Sequence, residues 1–240
     1  MTTTETVRLS VFLARCGVAS RRKSDEIIAS GTVKVNNTVV VHPYYKINPE
    51  KDSVTIGNIK LESSTRYVYI ALYKPVGYLS DLADKRNRKL ARTLLKEEER
   101  LFPVGRLDYS SEGLILFTND GAFANRVMHP RYEVEKEYLV KLKGRPSTDT
   151  LKNVLKGVLV EGEPYRFDVI EPMRAEKVNT WYRVVVHEGK NRMIRKVADA
   201  ISHPVLSLKR VRIGPVRLGA LEPAQYRLLT EREVLFFLKA

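Results

Sequence analysis

Phe102-Pro103-Val104-Gly105-Arg106-Leu107-Asp108-Tyr109-Ser110-Ser111-Glu112-Gly113-Leu114-Ile115-Leu116-Phe117-Thr118-Asn119-Asp120-Gly121 is the stretch that decides the fold of this chain. A strand ends at Gly105, and a loop presents Arg106, Asp108 and Glu112. A continuous apolar strand over 114–118 follows. Asn119-Asp120-Gly121 then turns the chain into a short helix reaching Val127. Upstream, residues 67–73 alternate tyrosines with Val68 and Ile70, which predicts a half-buried strand broken by Lys74-Pro75-Val76-Gly77. The basic stretch 85–100 reads as partly helical. Downstream, strands are expected at 135–143, 166–171, 181–187 and 206–213, a helix at 190–200, and a last helix opened by the capping-box pattern Thr230-Glu231-Arg232-Glu233. Strands with interspersed helices and no regular βαβ repetition mean α+β, on a mixed, mostly antiparallel sheet with flanking helices.

The N-terminal residues form a separate, smaller α/β unit. Leu9, Phe12 and Leu13 recur at helical spacing before Gly17, and Ser20 is placed to cap a second helix carrying Ile27 and Ile28 and closed by Gly31. Val33-Lys34-Val35 and Thr38-Val39-Val40 flank Asn36-Asn37, a hairpin pattern, and a further short strand spans 54–57. The polar run Glu62-Ser63-Ser64-Thr65 reads as a linker, so the domains are placed at 1–64 and 65–240.

The 240 residues carry 42 Lys and Arg against 28 Asp and Glu, a net charge of +14. No apolar run approaches the ~18 residues that cross a bilayer, and the N-terminus lacks the features of a secretory signal. One cysteine, Cys16, forms no internal disulfide and fits a reducing cytoplasm. The positive charge gathers in three clusters, at 8–23, 85–92 and 190–217, the last opposed along the chain only by Asp199. None is joined to a helix with a broad apolar face, so a polyanion such as nucleic acid fits better than a membrane surface.

The sequence excludes several chemistries. Four dispersed histidines and one cysteine do not make a zinc cluster. There is no phosphate-binding loop and no dinucleotide fingerprint. The loop after Gly105 has, on pattern alone, a plain reading as a surface turn with an Arg–Asp ion pair. An RNA-binding protein without chemistry is open at this point. So is a nuclease holding Mg²⁺ with Asp108, Glu112 and Asp120.

Gly105-Arg106-Leu107-Asp108, Ser111-Glu112-Gly113-Leu114 and Thr118-Asn119-Asp120-Gly121 together resemble the signature of the small- and large-subunit ribosomal RNA pseudouridine synthases. Lys74-Pro75-Val76-Gly77, the stretch from Met128 to Tyr138, and the stretch from Gly189 to Lys196 agree with it. Residues 1–64 resemble the S4-type RNA-binding domain of that family, through Arg8-Leu9-Ser10, Gly17 to Arg22 and Gly31 to Asn36. The Met128-to-Tyr138 stretch is most similar to the branch acting on 23S ribosomal RNA. Two positions depart from the pattern: Met193, where some members have Gln, and Asn36-Asn37, where Asn-Gly is frequent.

The resemblance implies an isomerase that flips a uridine out of structured ribosomal RNA (23S, naked or in a pre-ribosomal particle), working as a cytoplasmic monomer. Detaching, turning and rejoining uracil is redox-neutral, so no metal or other cofactor is implied. Asp108 is implied as nucleophile, Arg195 as the arginine that holds it through a bidentate contact, and Tyr138 as the residue stacking on the base. Ile194 is implied as an apolar contact beneath the base, and Arg106 as a residue holding the nucleotide out of its helix. Lys190, Asn191 and Arg192, with Arg8, Arg21, Arg22 and Lys34 of the first domain, are implied as RNA contacts.

Overall fold

A computed structural model describes residues 6–62 and 66–239. The chain divides into two compact units between Tyr67 and Val68. The boundary expected at residue 64 falls outside the described residues.

The first unit runs β1 (Val7–Arg8), α1 (Leu9–Arg15), α2 (Arg21–Ala29), β2 (Val33–Val35), β3 (Thr38–Val39), β4 (Lys46–Ile47), β5 (Val54–Ile56) and β6 (Ile59–Lys60). Its helices start and stop where the sequence says. The Ser20 hydroxyl accepts from the Lys23 amide at 3.3 Å. Between β2 and β3, Asn36 and Asn37 take φ +49° and +67°, the left-handed pair a tight hairpin turn requires. Asn tolerates this conformation better than other non-glycine residues. Asn36 is further fixed by donating to Asp52 at 2.8 Å and accepting from the Ser53 amide at 2.9 Å. The helices and strands β1, β2, β4 and β5 close on a small core that includes Leu9, Leu13, Ile28, Val33 and Ile47.

The second unit contains β7 (Tyr69–Lys74), β8 (Phe102–Val104), β9 (Glu112–Thr118), α3 (Gly121–Met128), β10 (Lys136–Leu142), α4 (Thr148–Lys156), β11 (Val158–Val160) and β12 (Glu163–Tyr165). It continues through β13 (Val169–Ala175), β14 (Thr180–Val186), α5 (Met193–Ala200), β15 (Val205–Ile213), β16 (Val216–Arg217), β17 (Tyr226–Leu228) and α6 (Glu231–Lys239). Its main sheet has the order β13-β14-β10-β15-β9-β7-β17, with β8 added to β9 and β16 to β15. Among the described residues its one parallel pairing joins β9 to β15 through Gly113 and Arg210.

Alternation along the central strands sends side chains to two cores. Ile70, Leu72, Ile115 and Phe117 join the cluster beneath α4 and α5, and Ala71, Tyr73, Leu114 and Leu116 join the one beneath α3 and α6. On the second face Phe123 of α3 meets Phe237 of α6 edge to face, with ring centroids 5.2 Å apart. Burying a phenylalanine of this kind stabilises by about 1.5–3 kcal/mol. The Thr230–Glu233 capping box forms in both directions: Glu233 accepts from the Thr230 amide at 2.8 Å and the Thr230 hydroxyl from the Glu233 amide at 3.3 Å.

Three local expectations are corrected. The strand at 67–73 is β7, and it is buried on both faces from Ile70 onward because helices cover both sides of the sheet. Within 85–100 the helical content is one 3₁₀ turn, Ala91–Leu94. The strand expected at 166–171 starts later, as Val169–Ala175. The sequence reading also passed over α4 and the hairpin of β11 and β12.

Candidate active site

The loop from β8 to β9 is held from several sides. Gly105 adopts φ +78°, open to glycine without steric cost, and turns the chain out of the sheet. Leu107 is buried, and the buried Ser80 hydroxyl clamps its backbone, accepting from the Leu107 amide at 3.0 Å and donating to its carbonyl at 2.9 Å. Tyr109 accepts a hydrogen bond from the Gly77 amide at 2.9 Å. The turn carrying Gly77 is itself braced by Lys74, whose Nζ donates to the carbonyls of Pro75 and Tyr78 at 3.0 and 2.9 Å. Lys74 is fully buried. Burial, reinforced by the Arg210 charge, pushes its pKa down to about 8 against the opposing pull of Asp108 and Glu112.

Asp108 lies between these anchors with its carboxylate partly exposed. Oδ2 is 3.4 Å from Arg195 Nε and 3.6 Å from Arg192 Nη1. Arg195 comes from the first turn of α5, and its Nη2 donates to the Ser111 hydroxyl at 3.0 Å and, longer, to the Ser110 carbonyl at 3.4 Å. The bidentate contact expected between Arg195 and Asp108 is therefore absent. Ser111 is fully buried and takes one arm of the guanidinium, as a buried hydroxyl must find a partner. Nε meets Asp108 as a charge contact without hydrogen-bond geometry.

Beside Asp108 opens a cavity of about 210 Å³, below the roughly 300–1,000 Å³ that houses drug-sized ligands and of a scale with one planar base. Tyr138 of β10, Ile194 of α5, Leu208 and Arg210 of β15, and Lys136 of β10 line it with Asp108. Arg106, Lys190 and Arg192 are on its lining too, whereas Asn191 is not. Arg106 projects with 66% of its side chain exposed, 3.8 Å from Asp81. Lys190 folds back, donating to the Pro164 carbonyl at 3.0 Å and lying over the Tyr165 ring.

The basic cluster at 190–217 is not a uniform RNA-facing surface. Arg210 is 4% exposed. Arg212 is bound by Glu135 at 2.9 Å and Glu137 at 3.1 Å, carboxylates delivered by β10 and the residue before it. Cross-strand pairing brings together charges that are remote along the chain. The three carboxylates of the nuclease reading are likewise separated in use. Asp120 caps α3, accepting from the Ala122 and Phe123 amides, and Glu112 accepts from the Tyr73 hydroxyl. Among the described residues no group of three or more His, Cys, Asp or Glu could hold a metal ion.

Sequence reasoning passed over Ser80, saw Lys74, Ser111 and Lys136 only as motif letters, and counted Arg210 only within a basic cluster. Lys136 had a readable signal: it stands two residues before Tyr138, on the same face of one strand. Arg210 had none, because its place opposite Tyr138 depends on the register of β10 and β15.

In the first unit, Arg8, Arg21 and Arg22 converge with Asp25, Pro43 and Tyr44 around a surface hollow of about 270 Å³. The Arg8 guanidinium lies over the exposed Tyr44 ring, 5.1 Å from its centroid. Lys34 is exposed on β2 and does not line this hollow.

Residues 68–200 match the family model described as RNA pseudouridylate synthase, and residues 7–53 match the S4 domain. An uncharacterized RNA pseudouridine synthase of Aquifex aeolicus (strain VF5) is 42% identical over 98% of this chain and 94% of its own length. The ribosomal large subunit pseudouridine synthase B of Bacillus subtilis (strain 168) is 39% identical over 95% of this chain and 93% of its own. A crystal structure of a pseudouridylate synthase superposes with a TM-score of 0.67 at 26% identity, covering 96% of this chain and 99% of that one.

Proposed function

The chain belongs to the RNA pseudouridylate synthase family, isomerases acting on RNA, and from that premise we propose that it converts one uridine of large-subunit (23S) ribosomal RNA to pseudouridine at the Asp108 pocket. The ribosomal substrate rests on the likeness to the large-subunit enzyme of Bacillus subtilis. The observation that carries the assignment of the site is Asp108 itself. Its carboxylate stands at the mouth of a base-sized cavity with Arg195 Nε at 3.4 Å.

In this reading Asp108 is the nucleophile at C1′ of the ribose. Arg195, largely buried and fixed on Ser111, orients the carboxylate for attack. Tyr138, 9% exposed, offers its ring to the flipped uracil, and Ile194 closes the cavity beneath it. Arg106, Lys190, Asn191 and Arg192 grip the flanking backbone, and Arg106 holds the target nucleotide out of its helix. Extrusion costs a few kcal/mol, offset by stacking and phosphate contacts. Arg8, Arg21, Arg22 and Lys34 of the S4 domain add phosphate contacts that hold the RNA without reading the target base. The division of labour follows the expected domains, 1–64 for anchoring and 65–240 for chemistry. The reaction is redox-neutral and takes no cofactor. The protein acts as a monomer in the cytoplasm.

The test is Asp108→Ala assayed on ribosomal RNA from cells lacking the protein. Pseudouridine formation should vanish while RNA affinity stays within about threefold. Retained modification by a folded Asp108→Ala protein defeats the assignment.

A further inference from the structure

Arg210 is an unusual residue to find under a pocket. It is 4% exposed and stands directly opposite Tyr138 in the pairing of β15 with β10. Its guanidinium carbon is 6.0 Å from the Tyr138 ring centroid. Nε donates to the Leu114 carbonyl at 2.7 Å, Nη1 reaches the Arg106 carbonyl at 3.5 Å, and Nη2 is buried with no hydrogen-bond partner. On the same pocket wall Lys136 donates to the carbonyls of Val134 and His187 at 2.9 and 3.1 Å, which leaves one of its three ammonium donors unused. Among the described residues neither cation forms an ion pair. The pocket lining holds six cationic residues against two carboxylates, Asp108 and Glu188. Asp108 is taken up by Arg195 and Arg192, and Glu188 by Lys190 at 3.4 Å.

Buried charges without counter-charges are costly, and a native fold seldom keeps them without a use. Burial first, and the Arg210 charge second, push the Lys136 pKa down to about 8. Such a site is short of one anion. A phosphate of the RNA backbone would meet the exposed rim, where Arg106 and Arg192 project with side chains 66% and 51% exposed. Arg210 and Lys136 instead share the pocket lining with Tyr138, the residue proposed above to stack on the base.

We propose that Arg210 and Lys136 form a cationic floor that receives the uracil ring as an anion when it leaves the ribose, making both residues catalytic for base detachment. The idea rests on the function proposed above. When the C1′–N1 bond breaks, its electron pair stays with uracil, whose negative charge spreads over N1, O2 and O4, while C1′ bonds to an Asp108 oxygen. After the ring turns, C5 bonds to C1′ and frees the carboxylate. C5 then gives up its proton and N1 takes one up, so atoms and charge balance. Fixed donors aimed at charge that develops only in the transition state are the most effective kind of stabilisation.

The experiment uses the full chain, deproteinised large-subunit ribosomal RNA from cells lacking it, and the variants Arg210→Met, Arg210→Lys and Lys136→Met. RNA affinity should stay within about threefold, while the single-turnover rate falls more than tenfold in both Met variants. Arg210→Lys should recover at least part of the Arg210→Met loss. On RNA carrying 5-fluorouridine at the target, whose base departs more readily as an anion, the loss of base detachment should be at least tenfold smaller. A purely packing role predicts equal losses on both RNAs. That outcome overturns the proposal, as does a loss below tenfold in folded protein. If Arg210→Met does not fold, Lys136→Met decides by the same criteria. An inactive wild type would instead remove the function reading, and activity surviving Asp108→Ala would remove the site, so the failures are distinguishable.

Discussion

Gly113 is where the candidate loop, the central sheet and Arg210 meet, and its replacement by alanine should destabilise the catalytic unit more than an ordinary glycine substitution. Its φ of +108° lies in a region that side chains rarely adopt, and a Cβ there would stand 2.2 Å from the Arg210 carbonyl oxygen and 2.7 Å from its nitrogen. Both obstacles are backbone atoms of β15 at the parallel pairing with β9, so no side-chain rotation relieves the clash. Backbone strain of this sort costs about 1–3 kcal/mol, and overpacking adds about 1–3 kcal/mol. The expected loss is therefore about 2–6 kcal/mol. At roughly 2–4 °C per kcal/mol for a unit of this size, the melting temperature should fall by about 10 °C. Urea unfolding and calorimetry measure it, with Gly121→Ala as the internal control. Gly121 opens α3 with nothing within 4 Å of its would-be Cβ, so that substitution should be neutral or stabilising by up to ~1 kcal/mol. A Gly113→Ala loss below about 1 kcal/mol, or an equal loss at Gly121, refutes the reasoning.

Other outcomes follow from the same geometry. Lys74 has a folded pKa of about 8 against 10.5 ordinarily, so between those values the unfolded chain binds more protons and folding gains stability as pH rises. The stability of wild type relative to Lys74→Met should climb across pH 8–10.5, by up to ~3 kcal/mol, and a flat difference in denaturant titrations would count against the buried charge. Asp120→Ala removes the acceptor for two α3 amides and the Tyr69 hydroxyl. It should cost about 2–3 kcal/mol yet leave the folded protein active, and an inactive but fully stable variant would contradict the capping role. Deleting residues 1–64 should lower the log–log salt slope of RNA binding by about 3–4, the counterions released by the phosphate contacts of Arg8, Arg21, Arg22 and Lys34. An unchanged slope would remove the first unit from the RNA interface.

Local signals carried much of the architecture. The capping bonds of Ser20, Asp120 and the Thr230–Glu233 box and the turn at Asn36-Asn37 each close within three residues, so they are legible locally, while the further bonds of Asn36 to Asp52 and of Asp120 to Tyr69 are not. The strand–loop–strand around Asp108 was legible for the same reason, and its motif pointed to the chemistry. What failed depended on neighbours. Alternation in β7 looked half-buried because one strand does not reveal that helices cover both faces of its sheet. The basic run at 190–217 looked like a single surface because charge is counted along the chain, while screening is set across strands by Glu135 and Glu137. The sequence by itself determined the fold class, the turns and Asp108 as the candidate centre. Only the tertiary structure decided that Arg195 would divide itself between Asp108 and Ser111, and that Arg210 would lie buried and incompletely partnered against Tyr138. Those outcomes are set by β-sheet register and helix docking, in which residues far apart along the chain become partners only when the whole sheet is assembled.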